Sequence, residues 1–307
     1  MEPITLAERT SLAERIRGLK QAVAVSVTDE FFQRHPDWLE RYGERGRQHG
    51  IDDACFHMDF LAGGIESGTF TPFEDYVRWT VRVLDARKIS AHFVAENLGQ
   101  IERALCPRLS GTEQLLVSSF IQAGCSACSG APEQQAQARD EQTGLGLSQR
   151  LFLQAILKGQ RKAATTIMSE ALREGHPVVD IYIEVFQESL YQVGRLWESN
   201  KITVAEEHMA TAITQYVVAQ TYAHLPTSST RRGNVVLTGV AGELHQLGAN
   251  MVSDVLESQG YDVHFLGTNM PNSGILQEIE NHRADMLGIS ATMLFNIPAP
   301  ASRGGPR

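Results

Sequence analysis

Apolar residues along the first 123 positions recur at intervals of three and four, the spacing of helices that bury one face. Thr10 or Ser11 stands where a cap belongs, ahead of a helix running to about Phe32. His35-Pro36-Asp37 then interrupts, with the proline suited to a first helical turn. Further helices are predicted over about Asp52–Ile65, from Thr71-Pro72 through Leu84, over Ala91–Leu105 and over Thr112–Ala123. No stretch alternates with the period of two that a half-buried strand requires. Residues 1–123 therefore read as an all-α domain. Residues 124–147 are small and polar, too poor in large side chains to offset the entropy of ordering, and read as a linker.

Four more helical segments follow, from Ser148 through Leu157, over Gln160–Arg173, Val178–Glu198 and Val204–Ala223. Gly175-His-Pro177 stops the second of them. Their short connections imply antiparallel neighbours, hence a four-helix bundle over 148–226. The pattern then changes. Asn234–Thr238, Tyr261–Gly267 and Ala284–Ser290 read as strands, separated by helices over about Ala249–Ser258 and Ser273–Asn281. Such alternation defines a doubly wound, Rossmann-like domain over 233–307. Its end, Ile297-Pro-Ala-Pro-Ala-Ser-Arg-Gly-Gly-Pro-Arg307, has neither helix nor strand character, so this domain reads as truncated. The fold class is multidomain, α and α/β.

Charge and cysteines narrow the classes. A net charge of −9 disfavours direct nucleic-acid binding, which needs concentrated positive charge. No apolar run reaches membrane-spanning length and the amino terminus lacks a signal-peptide core, so a cytoplasmic, non-membrane protein is the expectation. Four cysteines do not make a disulfide framework. Cys125-x-x-Cys128 has no second ligand pair to complete a zinc site and reads as incidental thiols.

Candidate chemistry lies in three places. Gly239-Val-Ala-Gly-Glu-Leu-His-Gln-Leu-Gly248 joins the first strand to its helix, at the strand's carboxyl end, where open α/β sheets bind ligands. A neutral imidazole at His245 can ligate a metal while Glu243 accepts its other ring N–H, and Gly248 lets a ligand pass close to the backbone. A loop histidine taken alone is more often ordinary surface chemistry. In the bundle, Thr203 and Glu206 form a capping box that leaves Glu207 and His208 free, with Val204 on the same face and Trp197 at the end of the preceding helix. In the first domain, Phe73, Tyr76, Val77, Thr80 and Leu84 share a face, and Asp75, Arg78 and Arg82 another. That is a core stripe with solvated ion pairs, or a pocket for a planar chromophore whose carboxylates the arginines grip, with His57 and Asp59 reaching its nitrogens or a metal. Spacing leaves both open.

Glu243-x-His245-x-x-Gly248 resembles the Asp/Glu-x-His-x-x-Gly signature of cobalamin-binding domains. Trp197-x9-Glu207-His208, in a helical bundle just before it, resembles the cobalamin-dependent photoreceptors of the CarH type, over about residues 148–296. The resemblance implies that His245 is the lower axial ligand to cobalt, with Glu243 behind it. It also implies that Trp197 and Val204 pack around the adenosyl group of adenosylcobalamin and that Glu207 hydrogen-bonds to it. His208 would enter the upper cobalt position after illumination. Ser290, in Ser290-Ala-Thr292 at the place of the family's Ser-x-Leu, would meet the nucleotide base. The DNA-binding module of the repressor branch is absent. In its place, Phe31-Phe-Gln-Arg-His-Pro36, Cys55-Phe-His-Met-Asp-Phe60 and Phe73-Glu-Asp-Tyr-Val-Arg-Trp79 resemble the photocobilins, in which a globin-like, biliverdin-binding domain is fused to a CarH-like half. His57, Asp59, Tyr76, Arg78, Trp79 and Arg82 are then the implied bilin pocket, with biliverdin held noncovalently although Cys55 is near.

The expectation from this resemblance is a light sensor and not an enzyme. Its output would be light-dependent homo-oligomer assembly and an unidentified downstream protein partner. Two other readings stand beside it: a corrinoid protein that carries methyl groups for a methyltransferase system, and a heme-globin sensor with His57 or His92 on iron.

Overall fold

Thr5, not Thr10 or Ser11, starts the first helix. Its hydroxyl accepts the N–H of Glu8 while the Glu8 carboxylate takes the Thr5 N–H at 2.8 Å, a reciprocal cap that carries α1 over Leu6–Arg34. A computed structural model of the chain describes residues 4–130 and 145–296. The chain divides into two compact units, Met1–Glu133 with Met293–Arg307, and Gln134–Thr292.

The first unit is all-α. After α1 come α2 (Pro36–Ser67), α3 (Thr71–Asp85), α4 (Ala91–Leu105) and α5 (Gly111–Cys128). Pro36 sits in the first turn of α2 and Pro72 in that of α3, where a missing N–H costs nothing. The helix expected from Asp52 begins instead at Pro36 and passes a kink at Gly43, whose φ of 58° lies in the left-handed region glycine favours. The linker expected from residue 124 is corrected in the same way. Ser110 and Glu113 form a capping box, and α5 runs on to Cys128. Gly124 is buried on it, so close to Phe73 that a Cβ would lie 2.7 Å from the ring. Residues 131–144 of the expected linker lie outside the described residues. Phe73, Phe120, Leu61, Ile65, Leu98 and Ile101 fill the core between these helices.

The second unit joins a four-helix bundle to a small sheet. The bundle comprises α6 (Gly146–Leu157), α7 (Arg161–Arg173), a third helix made of α8 (Val178–Asp180), a π-helical stretch (Ile181–Gln187) and α9 (Glu188–Glu198), and α10 (Val204–Thr221). Phe152, Ile156, Met168, Phe186 and Val217 form its core. Strands β1 (Gly233–Gly239), β2 (Tyr261–Phe265) and β3 (Met286–Ser290) are parallel in the order β2-β1-β3, with α11 (Leu247–Ser258) and α12 (Asn272–His282) as crossovers. Val235, Val236 and Leu237 bury the central strand. Leu247, Met251 and Val255 share one face of α11 and pack against the bundle core, which fixes the sheet to the bundle. The last element described is a 3₁₀ turn at Leu294–Asn296, and residues 297–307 of the expected sheet domain lie outside the described residues. Among the described residues no helix is long and apolar enough to cross a membrane.

Candidate functional site

β1 is the middle strand, so the loop at its carboxyl end is flanked by the loops that follow both neighbours. That loop carries Glu243 and His245. Glu243 is 0% exposed, which for a carboxylate demands partners. Its Oε1 accepts the backbone N–H groups of Leu244 (3.0 Å) and His245 (2.9 Å) and pairs with Nδ1 of His245 at 2.6 Å. Its Oε2 accepts the N–H of Thr292, after β3, at 2.6 Å. An ionised carboxylate only accepts, so Nδ1 carries a proton, and in the neutral imidazole the lone pair is on Nε2. The His245 side chain is 62% exposed, with Nε2 at its outer end. This is the tautomer and orientation a metal-binding histidine requires. The donor set, one exposed imidazole on a buried carboxylate, would fit a cobalt corrinoid held by His245.

A third residue holds the loop and was missed in the sequence. Asn269, between β2 and α12, accepts the N–H of Gly242 at 2.9 Å from a backbone at φ 59°, a conformation asparagine tolerates better than most residues. The signal was its place in Gly267-Thr-Asn269, a turn after a strand. Replacing Asn269 by alanine is expected to cost about 1–2 kcal/mol, from the lost bond and the left-handed backbone together. Asn269→Gly, which keeps the backbone easy, should cost less; urea titration of the two variants against the parent checks the order.

The other expected residues of this domain lie at the ends of α11 and β3. Gly248 is the second residue of α11, with open space where its Cβ would be. Ser290 ends β3 beside Gly239, and its carbonyl accepts the N–H of Val240 at 3.2 Å.

In the bundle the expected capping box is present. The Thr203 N–H donates to Glu206 at 2.7 Å and the Glu206 N–H donates to the Thr203 hydroxyl at 3.2 Å. Glu207 and His208 are not free, as expected, but bonded to each other through Nδ1 of the imidazole. The second Glu207 oxygen accepts the Thr211 hydroxyl at 3.0 Å. The His208 side chain is 76% exposed, Val204 is exposed beside it, and Trp197 ends the preceding helix half-buried. An indole, an apolar patch and a carboxylate-held imidazole thus share one end of the bundle.

Of the six implied pocket residues, His57 and Tyr76 are hydrogen-bonded to each other in the helical unit. Nδ1 of His57 meets the Tyr76 hydroxyl at 2.7 Å, both residues are buried, and Phe60 stacks on Tyr76 with ring centroids 3.7 Å apart. Burial pushes the His57 imidazole down to about 4 and the Tyr76 phenol well above its usual range. Asp59 pairs with Lys20 at 2.6 Å. Arg78 pairs with Asp75 and Glu74 on its own helix, the solvated ion pairs that spacing allowed. Trp79 lies 6.2 Å from Tyr76 by ring centroid, and Arg82 is half-buried on the same helix. Among the described residues no three metal-ligating side chains converge. Cys125 and Cys128 each donate to a carbonyl of the helical unit, and burial raises both thiols, Cys128 to about 11.

The second unit thus places an imidazole held by a buried carboxylate at the carboxyl end of a parallel sheet, with a helical bundle packed on the sheet's first helix. Residues 149–221 and residues 233–300 each match a family model described as B12 binding domain. The helical and the α/β part of the second half are thus each similar to B12 binding domains. Dimethylamine corrinoid protein 3 of Methanosarcina acetivorans is 31% identical over 129 residues, covering 42% of this chain and 61% of that protein. Methionine synthase of Mycobacterium tuberculosis is 29% identical over 156 residues, covering 50% of this chain and only 13% of that protein. Among solved structures, the monomethylamine corrinoid protein of Methanosarcina barkeri aligns with a TM-score of 0.45 at 20% identity, over 50% of this chain and 73% of that one.

Proposed function

We propose that this chain holds a cobalamin on His245 and serves as a corrinoid carrier, passing methyl groups within a methyltransferase system. The observation that carries the reading is the bond from Nδ1 of His245 to buried Glu243, which in the neutral imidazole places the lone pair on Nε2. Similarity to proteins named as corrinoid proteins and methionine synthases supports the choice of methyl transfer. A bound corrinoid supplies a cobalt centre able to accept and release a methyl group. The chain's own contributions are to orient one imidazole, to fix its tautomer, and to hold the loop rigid through Asn269 and the Thr292 N–H before any ligand arrives.

A second reading is kept because the bundle end favours it. Trp197, Val204 and the Glu207–His208 pair would suit a protein that shields an adenosyl group on cobalt and lets His208 in after light. Biliverdin in the helical unit belongs to that reading and rests on the His57–Tyr76 pair with its stacked Phe60. Cytoplasmic location and partner proteins are part of both proposals.

One pair of samples separates them. Charged with methylcobalamin in the dark, and given a methyltransferase and a thiol acceptor, a carrier loses its methyl group. Charged with adenosylcobalamin and exposed to green light, a sensor turns to a stable new spectrum with an altered elution volume. Methyl loss without a stable photoproduct upholds the carrier; the converse replaces it. A chain that retains neither cobalamin on gel filtration defeats both.

A further inference from the structure

In the helical unit, α4 packs along α1 and runs against it. The start of α4 meets the end of α1, where the Phe93 ring lies 5.8 Å from that of Phe31 and 5.4 Å from that of His35 by centroid. The end of α4 turns into α5, whose Glu113 pairs with Arg15 near the start of α1. From the Phe31–Phe93 contact, Thr28 comes one turn earlier on α1, and Asn97 and Gln100 come one and two turns later on the facing side of α4. At about 1.5 Å per residue the three lie within roughly 6 Å of one another along the helix axes.

That stretch of the interface is polar and shut away from solvent. Gln100 is 1% exposed and Thr28 2%. Oγ1 of Thr28, Oδ1 of Asn97 and both Nε2 and Oε1 of Gln100 are buried with no hydrogen-bond partner among the described residues. Five buried side-chain atoms are in that condition there, and four of them fall in this one patch. A carboxamide left wholly unsatisfied in an interior costs more than a made bond returns, so such groups pair with protein or with ordered water.

The surroundings say which. Glu96, beside Asn97, is taken by Arg34 at 2.8 Å and by His35 at 3.0 Å, and Asp29, beside Thr28, is taken by Arg47 at 2.6 Å. The neighbouring charges are matched among themselves, so a charged guest would be buried without a counter-ion, and a neutral one is required. Gly50 of α2 closes another side, where a Cβ would lie 3.1 Å from Cγ2 of Thr28 and 3.6 Å from its Oγ1. Rings in contact one turn away hold α1 and α4 at packing distance, which suits a guest the size of water. Water also completes the pairing. Gln100 offers two N–H donors and a carbonyl acceptor, Asn97 a carbonyl acceptor, and Thr28 a hydroxyl that does both. One water can donate to Oε1 of Gln100 and Oδ1 of Asn97 while it accepts from the Thr28 hydroxyl. A second can accept from Nε2 of Gln100.

We propose that Thr28, Asn97 and Gln100 build an internal hydration site between α1 and α4, where about one or two ordered waters bridge the three side chains. The site is on other residues than the His57–Tyr76 pair and is independent of what the His245 loop binds. Oxygen-17 relaxation dispersion of the full chain, which counts waters held for longer than nanoseconds, tests it. Gln100→Met, similar in length but without the amide, should lower the parent's count by about one or two. An unchanged count overturns the site, as it would if Gln100 were dry or bonded straight to Thr28. Urea titration adds a readout by sign. Removing one leg of a water bridge lowers the midpoint, whereas removing a dry, orphaned carboxamide raises it. A raised midpoint for Gln100→Met overturns the bridge even where the count falls. Thr28→Val, nearly the same shape, serves should Gln100→Met fold poorly, and it should lose about one water by itself; an unchanged count there overturns the site equally.

Discussion

His245→Ala will remove the nitrogen signature of a histidine from the electron paramagnetic resonance spectrum of the chain loaded with reduced cobalamin, and will weaken cobalamin retention. Glu243→Gln, which leaves the imidazole in place but unsettles its tautomer, will weaken retention about 10–100-fold, the usual cost of losing a residue that orients a metal ligand. The two variants differ in their effect on the empty protein. His245 is largely exposed, and its loss should leave urea stability within about 0.5 kcal/mol of the parent. Glu243→Ala would strand the N–H groups of Leu244, His245 and Thr292 that the carboxylate now satisfies. Each stranded donor away from water costs about 1–3 kcal/mol, so a loss of at least about 3 kcal/mol from the second unit is expected. Equal stabilities of Glu243→Ala and the parent would show that the carboxylate is not the keystone of the loop.

The second large effect is on acid stability, in the first unit. His57 is buried and neutral, with a folded pKa of about 4 against about 6.5 for an unfolded chain. Between those values the unfolded chain binds the proton and the folded one does not, so stability rises with pH. The contribution is complete above about pH 6.5 and drains away as pH falls toward 4, amounting to about 3 kcal/mol across the window. Urea titrations of the full chain at pH 7 and pH 4.5, following Trp79 fluorescence, should show that loss in the first unit. His57→Gln keeps a partner for the Tyr76 hydroxyl but cannot charge, and it should flatten the profile. A parent profile as flat as that of the variant would mean that His57 is protonated in place.

Much of the architecture was legible because local and tertiary preferences agree. Pro72 marks the helix start it was expected to mark, Gly175 ends α7, and the Thr203–Glu206 box opens α10. The three strands emerged from short apolar runs bounded by helical spacing. Failures arose where packing overrides composition. Residues 36–51 hold Gly43, Gly46 and Gly50 and few apolar side chains, yet α2 persists because it lies along α1. Residues 124–128 are small, which in a free chain suggests a linker; here smallness is what lets α5 approach Phe73. The site divides similarly. Glu243 and His245 are two positions apart, so their bond could be foreseen, whereas Asn269 reaches Gly242 across 27 positions and Tyr182 reaches Asp254 across 72. Such partners have no local signature. The bond between Glu207 and His208 joins neighbours in the chain and needs no distant partner.

What Thr292 lends to Glu243 is an amide hydrogen, a group that every amino acid except proline owns. The letter written at that position is therefore nearly silent for the carboxylate's comfort. Threonine standing where a kindred chain writes leucine leaves this contact intact, and only a proline there would cut it. Drift at such a place is cheap, and a tally of matching side chains will understate how much of this loop two distant chains still share.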